Sequence, residues 1–173
     1  MDDEMNLADR LEAMTVRVKS PDGTVRATCG ITDGLQVSIS ESGMRDHSER
    51  SLADQLKAVI SSARSGFIGA TGKLADDSGI TPEMTGTLAV DAKTFVSEMD
   101  EVDVWEVSPR GLIEVGLRGG GEVGVHIAEG SLRRHGVTHA QLESEVNAAI
   151  AAASSAYGRG RAKVAERLLG VDE

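Results

Sequence analysis

Two stretches of this chain, residues 16–67 and 104–157, carry the same sequence features in the same order. Each begins with alternating apolar residues, passes through a Ser-Pro-x-Gly tetrapeptide that starts at Ser20 or Ser108, and ends in a long amphipathic segment. Matching residues are 88 positions apart at the tetrapeptides and 90 apart where Phe67 matches Tyr157. A short supersecondary unit buries little apolar surface alone, so a unit that occurs twice indicates copies that complete one another. The repeat therefore predicts two like units folded together in one polypeptide.

In each copy, three short runs alternate apolar and polar residues, the pattern of half-buried β-strands. Pro21-Asp22-Gly23 and Asp33-Gly34 are turn sequences between the runs of the first copy, because Pro fixes φ and Gly accepts positive φ. Gly119-Gly120-Gly121 is a looser turn in the second copy. The runs are Val16/Val18, Val25/Ala27/Cys29 and Leu35/Val37/Ile39, then Val104/Trp105/Val107, Ile113/Val115/Leu117 and Val123/Val125/Ile127. The sequence predicts an antiparallel three-stranded meander in each copy.

Amphipathic spacing predicts the helices. Residues 2–14 indicate a short helix, residues 51–67 a longer one that ends at the glycines after it, and residues 91–99 a piece compatible with two or three turns. Thr138 and Gln141 form a capping box that begins the last helix, whose period continues to Val164 and Leu168. We expect the apolar face of that helix to contact a partner or a second copy of the fold. This face consists of Leu142, Val146, Ala149, Ile150, Ala153 and Tyr157.

The net charge of −10 is concentrated outside the repeats. Residues 1–14 carry a net charge of −4 and residues 76–103 one of −7, so the rest of the chain is nearly neutral. An acidic protein repels a phosphate backbone, which argues against general nucleic-acid binding. The single cysteine, Cys29, excludes an internal disulfide and a cysteine zinc site and predicts a reducing, cytoplasmic location. No apolar run approaches the ~20 residues of a membrane span.

The sequence contains no recognisable catalytic motif. His135 and His139 have the spacing of two metal ligands on one helical face, but Gly136 and the capping Thr138 lie between them, so we expect them to straddle a helix start. Neither His47 nor His126 has a sequence partner at catalytic spacing. The glycines before Lys73 lack the spacing of a phosphate loop. We therefore predict a protein that is not an enzyme and has neither a metal site nor a cofactor.

Basic residues flank the last helix. As a phosphate-contacting stripe they would bind nucleic acid, whereas as a cation-rich helix C-terminus they would only complement the helix dipole. The absence of stacking aromatics and of positive net charge favours the second interpretation. The residues concerned are Arg133, Arg134, Arg159, Arg161, Lys163 and Arg167.

The order of these motifs resembles the YbaB/EbfC family of nucleoid-associated proteins. The first copy reads V-x-V-x-S-P-x-G and the second V-x-x-V-S-P-x-G, and each leaves its third strand through I-x-E into an Ala-bearing helix. In residues 122–157, HIAEGSLRRHG and an Ala-rich helix ending in Ser-Ala-Tyr resemble the branch found beside actinobacterial type VII (ESX) secretion systems. The resemblance covers roughly 120 residues. It implies small units that dimerise through their sheets and bind DNA without catalysis.

Two differences from the family pattern modify these expectations. The chain carries two family-like units, and its N-terminal helix is short and acidic rather than long and basic. We therefore expect an α+β protein that is an intrachain pseudo-dimer or a homodimer. The predicted boundaries are residues 1–75 for the first unit, 76–102 for an acidic connector and 103–173 for the second unit. The expected function is binding of a protein partner in a chaperone-like or secretion-associated role, with DNA binding through the basic C-terminal helix as the alternative.

Overall fold

The computed structural model describes residues 7–77, 92–134 and 136–169. These ranges contain five α-helices and six β-strands, so the fold class is α+β, as predicted. In chain order the elements are α1 Leu7–Ala13, β1 Thr15–Lys19, β2 Val25–Gly30, β3 Gly34–Ile39, α2 Glu41–Asp46, α3 Glu49–Asp77, α4 Ala92–Asp100, β4 Asp103–Val107, β5 Ile113–Arg118, β6 Val123–Ile127 and α5 His139–Leu169. Short 3₁₀ turns at Gly119–Gly121 and Ser131–Arg133 flank β6.

The strands form two separate three-stranded antiparallel sheets, ordered β1-β2-β3 and β4-β5-β6. Both sheets have the same register at matching residues: Val25 pairs with Ile39 in the first sheet, and Ile113 pairs with Ile127 in the second. The two predicted meanders are therefore confirmed, including their turns.

The Ser-Pro-x-Gly turns are organised by a buried serine in each sheet. The Ser20 hydroxyl accepts the N–H of Val25 at 3.0 Å, and the Ser108 hydroxyl accepts the N–H of Ile113 at 3.1 Å. Both serines are 4% exposed. A buried hydroxyl needs a hydrogen-bond partner. In both turns this partner is the backbone N–H five residues later, at the start of the next strand. The equivalence of the two tetrapeptides thus extends to individual atoms.

One apolar core serves both sheets. The inward residues of β2, β3, β5 and β6 pack in a single cluster with the apolar faces of α3 and α5. Helix α3 lies on β2 and β1 of the first sheet and also contacts β6, whereas α5 lies on β5 and β4 of the second sheet and also contacts β3. Each long helix thus covers its own sheet and one strand of the other sheet.

The outer edge of β3 is closed by polar side chains of α5. Asn147 Oδ1 accepts the N–H of Val37 at 2.8 Å, and its Nδ2 donates to the carbonyl of Val37 at 2.8 Å. Glu143 Oε2 accepts the N–H of Ile39 at 2.9 Å. An exposed sheet edge leaves backbone groups unpaired, so these three hydrogen bonds do for β3 what a further strand would do.

The helices confirm most of the expected segments and correct one boundary. The capping box is present, with Thr138 N–H donating to Gln141 Oε1 at 2.9 Å and Gln141 N–H donating to the Thr138 hydroxyl at 3.2 Å. The prediction that glycines end the second helix is wrong, because α3 continues through them to Asp77. At Gly66 a Cβ would lie 3.1 Å from Val16, so this glycine permits close approach to β1 rather than helix termination.

Helix α2 was not predicted; it begins after Ser40, whose hydroxyl accepts the N–H of Gly43 at 3.0 Å. Helix α1 falls within its expected segment, α4 overlaps its own and ends one residue later at Asp100, and residues 1–6 lie outside the described ranges. None of the helices in the described ranges is long and apolar enough to cross a membrane. The predicted domain boundaries stay predictions.

Candidate interaction surfaces

The outer faces of the two sheets carry different side chains at matching positions. On β1 the outward residues include Arg17 and Lys19, and Lys19 lies directly opposite Arg26 of β2. On β4 the matching outward residues are Trp105 and Val107. The inward residues, in contrast, are apolar in both sheets apart from Glu106 of β4. The two units are therefore alike where they pack and unlike where they meet solvent.

Trp105 lies flat across the outer face of the second sheet. Its cross-strand neighbour on β5 is Gly116, which in turn faces Gly124 on β6. A Cβ built on Gly116 would fall 2.5 Å from Cε2 of the indole, and one on Gly124 would also overlap the ring. The two glycines thus form the floor on which the indole rests. The opposite side of the ring remains open, and Trp105 is 50% exposed.

Charged groups surround this indole. Arg118 Nε donates to Asp103 at 3.0 Å, and the hydrogen bonds of that carboxylate raise the pKa of the guanidinium. Lys57 of α3 and Glu122 line a shallow cavity of about 250 Å³ beside the ring. Val107, on the same face of β4, is 57% exposed. The surface therefore combines an exposed aromatic–aliphatic pair with a charged rim, the composition of many protein-binding patches.

The basic residues predicted as a stripe do not form one surface. Arg133 donates to the carbonyls of Met44 and Arg45 at 2.8 Å and to that of His47 at 3.2 Å, so its guanidinium closes the C-terminal end of α2. Arg134 lies beside it and is exposed. Twenty helical residues separate the start of α5 from Arg159, a distance of about 30 Å.

The four C-terminal cations divide between two faces of α5. Arg159, Lys163 and Arg167 recur every four residues and share one face, and Arg167 forms an ion pair with Glu98 of α4. Arg161 points elsewhere: its guanidinium lies 5.9 Å from the ring centre of Tyr157, and that of Arg64 lies 5.6 Å from the same centre. Tyr157 thus contacts a cation of each long helix, and in the described part of α5 Arg159 and Lys163 are the exposed C-terminal cations that form neither an ion pair nor a ring contact.

The predicted partner face of the last helix is covered within the chain. Leu142, Val146, Ala149, Ile150 and Ala153 are each at most 2% exposed, and Tyr157 packs against the same core. This face contacts β4 and β5 of its own unit, and β3 of the first unit also packs against α5.

The expectation that His47 has no partner at catalytic spacing is wrong. Its Nδ1 lies 2.6 Å from the Ser51 hydroxyl, and its Nε2 lies 2.8 Å from Asp22 Oδ2. Asp22 also accepts the N–H of Thr24 at 3.0 Å and the Ser20 hydroxyl at 2.7 Å. These two hydrogen bonds, the Thr24 N–H foremost, hold the pKa of Asp22 well below its usual range.

We assign this cluster to positioning. Asp22 belongs to the first Ser-Pro-x-Gly turn, and Ser51 lies in the first turn of α3, so His47 ties the turn to the start of the helix. Both carboxylate oxygens of Asp22 are occupied by groups of the same loop and helix start. A sequence separation of 25 residues between Asp22 and His47 gave no signal for this contact.

Of the predicted histidine pair, His135 lies outside the described residues. His139 begins α5 and lines a cavity of about 460 Å³ together with Met44, Leu132 and Arg133. Within the described ranges no three His, Cys, Asp or Glu side chains converge as metal ligands. Cys29 is buried in the core, and that burial raises the pKa of its thiol.

The Trp105 surface was missed by sequence reasoning, which placed the residue among strand-forming apolar positions. A signal was present, because an indole that lies flat on a sheet needs small cross-strand neighbours and the paired positions of β5 and β6 are Gly116 and Gly124. Only the strand register brings the three residues into one row.

No family model, curated protein or solved structure matches this chain.

Proposed function

We propose that this chain is a non-catalytic, cytoplasmic interaction protein of the YbaB/EbfC type that binds a protein partner. In this proposal its two family-like units form an intrachain pseudo-dimer, and the role is chaperone-like or associated with type VII secretion. The single observation that carries partner binding is the exposed pair Trp105 and Val107 on the second sheet, at positions where the first sheet has Arg17 and Lys19.

The reciprocal packing of the long helices supports the pseudo-dimer. Helix α3 reaches from the first sheet to β6, and α5 reaches from the second sheet to β3, so each unit contributes a helix to the other. The two sheets also have the same strand register and the same serine-centred turn, which further supports the pseudo-dimer. Such an arrangement leaves the outer sheet faces as the surfaces that differ between the units.

The exposed indole supports a protein ligand over other classes. Aromatic residues are enriched where proteins bind one another, since they bury a large area with few rotatable bonds. The chain has a single Trp and only four aromatic residues in all, yet Trp105 is half exposed. Net charge of −10 disfavours a polyanion as the ligand.

Affinity capture from a lysate of the source cells tests this proposal with a matched pair of variants. The double variant Trp105→Ala/Val107→Ser removes the exposed apolar pair of β4, and Arg17→Ala/Lys19→Ser changes the matching positions of β1. We expect one protein to be retained by the native chain and by the β1 variant but lost from the β4 variant. Retention of the same proteins by all three chains would refute a partner site on the second sheet.

DNA binding through α5 is the second candidate, favoured by the exposed Arg159 and Lys163 on one face of that helix. It predicts a mobility shift at about 50 mM salt that disappears steeply as salt rises. Replacing Arg159 and Lys163 with Gln removes the shift under this hypothesis, whereas Arg134→Gln at the far end of the helix leaves it unchanged. A chain that gives no shift at low salt does not bind DNA this way.

A further inference from the structure

Four strand edges bound the two sheets in the described part of the chain, and they are not treated alike. The edge of β3 is hydrogen-bonded by Asn147 and Glu143 of α5, and β6 packs against α3. The edges of β1 and β4 remain, because these are the outer strands of the orders β1-β2-β3 and β4-β5-β6.

The free backbone groups of β4 follow from its hydrogen bonds. Ser108 donates its N–H to the carbonyl of Ile113 at 2.8 Å, so it faces β5. In an antiparallel ladder alternate residues face the neighbouring strand, so Asp103, Trp105 and Val107 direct their N–H and C=O groups away from β5. Within the described ranges no other backbone or side chain bonds this edge. It presents three donors and three acceptors in the spacing of a strand.

The matching edge of β1 is guarded by charge. Ser20 donates to the carbonyl of Val25 at 2.9 Å, so the residues that face outward on β1 are Thr15, Arg17 and Lys19. Cationic side chains on an edge strand oppose pairing with a further strand. At the positions of Arg17 and Lys19, β4 has the apolar side chains of Trp105 and Val107, which are 50% and 57% exposed. Of the two edges that no helix covers, only that of β4 therefore combines free backbone groups with apolar side chains.

The charge around β4 indicates the kind of segment that fits this edge. Five carboxylates lie on β4, next to it in sequence or in the sheet, or in the cavity beside Trp105, and they are opposed by Arg118 and Lys57. These are Glu101, Asp103, Glu106, Glu114 and Glu122. Pairing of β4 with the β4 of a second copy would bring two such acidic clusters together, which is unfavourable. A segment bearing lysine or arginine neutralises them instead.

We infer that β4 is a docking strand, on which an extended, basic and apolar segment of a partner protein adds as a fourth strand of the second sheet. This inference rests on the proposed function and specifies how the partner is held. Backbone hydrogen bonds to Asp103, Trp105 and Val107 supply the attachment, and the open side of the indole receives an apolar side chain of the added strand. The acidic rim selects a cationic sequence.

Peptide titration followed by tryptophan fluorescence tests the inference, because the only Trp of the chain lies at the site. The probe is a capped synthetic peptide of alternating Lys and Val, about seven residues long to span β4. We expect a saturable change in emission. A Glu-Val peptide of the same length tests the charge requirement, and the Lys-Val peptide N-methylated at alternate residues tests the backbone hydrogen bonds. Both peptides should bind at least about tenfold more weakly than the Lys-Val peptide. For the N-methylated peptide, a tenfold loss corresponds to the net value of one to two hydrogen bonds.

Val107→Pro is the decisive variant, with Lys19→Pro at the matching position of β1 as its control. Both N–H groups face away from their sheets, so proline removes an edge donor without breaking a ladder bond. We expect Val107→Pro to weaken peptide binding about tenfold and Lys19→Pro to leave it unchanged. If Val107→Pro does not fold, Trp105→Arg/Val107→Lys gives β4 the side chains of β1 and should also abolish binding, which is measured by titration calorimetry because this variant lacks the Trp reporter.

Several results would overturn strand addition. They are equal binding by Val107→Pro and the native chain, equal binding of the N-methylated peptide, or no saturable change with the Lys-Val peptide at millimolar concentration. A cellular partner that is lost from Trp105→Ala/Val107→Ser but still binds Val107→Pro docks on the sheet face. That result refutes strand addition and leaves the proposed function standing, whereas a partner indifferent to all these variants refutes both.

Discussion

Asn147→Ala tests whether α5 holds the edge of the first sheet. The carboxamide makes two hydrogen bonds of 2.8 Å to Val37, which is 3% exposed. Truncation leaves a backbone donor and acceptor unpaired, at a cost of ~1–3 kcal/mol each when no water replaces the side chain. Asn147 is itself half-buried, so water reaches the gap, and the lower bound for each group applies. We therefore expect a loss of about 2 kcal/mol in the free energy of unfolding.

The aligned position on α3 supplies the control. Lys57 matches Asn147 through the 90-residue offset of the two helices and is exposed. Lys57→Ala should change the free energy of unfolding by no more than about 0.5 kcal/mol. Urea denaturation monitored by circular dichroism measures both variants, with the slope m unchanged if the denatured state is unaffected. In a thermal scan the loss for Asn147→Ala corresponds to about 4–8 °C for a chain of this size.

Equal stability of the two variants would refute the reasoning, because it would mean that apolar packing alone keeps β3 against α5. Asn147→Asp refines the test. The carboxylate still accepts the N–H of Val37 but faces its carbonyl oxygen, so this variant should be at least as destabilised as Asn147→Ala.

Three further outcomes are expected. Gly124→Ala should push the indole of Trp105 off the sheet, shift its emission to the red and cost about 1 kcal/mol, as measured by fluorescence and urea titration. Asp22→Asn should lower the free energy of unfolding by about 0.5–1 kcal/mol at neutral pH. The folded-state pKa of Asp22 is lowered, so the ionised carboxylate stabilises the fold at pH values above the unfolded pKa of 3.8. The difference in stability between native and variant chains should therefore shrink as the pH falls below 3.8. Arg133→Gln should cost about 1 kcal/mol through the lost bonds to the carbonyls at the end of α2, whereas neighbouring Arg134→Gln should be neutral in the same urea assay.

Local patterns in the sequence predicted much of the fold, because period-two alternation and turn residues are local signals. The meanders and the capping box of α5 followed from such signals. The length of α3 did not, since glycine carries a cost of only ~1 kcal/mol inside a helix and packing of the helix against β1 and β2 outweighs it. Helix α2 is too short to show a period.

The candidate site was less accessible to sequence reasoning. Whether Trp105 faces the core or solvent depends on strand register, since adjacent residues of a strand point to opposite faces. The run Val104-Trp105-Glu106-Val107 is compatible with either register from composition alone. Likewise, Arg133 looks like a free cation in sequence, and only the fold brings it to the carbonyls at the end of α2.

The unlike outer faces of the two sheets have a consequence for stoichiometry. An assembly of two identical chains must display every surface patch in duplicate, and a substitution on one copy appears on the other. Here the positions of Arg17 and Trp105 are encoded separately, so either face can change while the shared interior is preserved. A ligand that recognises the indole therefore finds one site on each polypeptide, and its saturation ratio should be one to one.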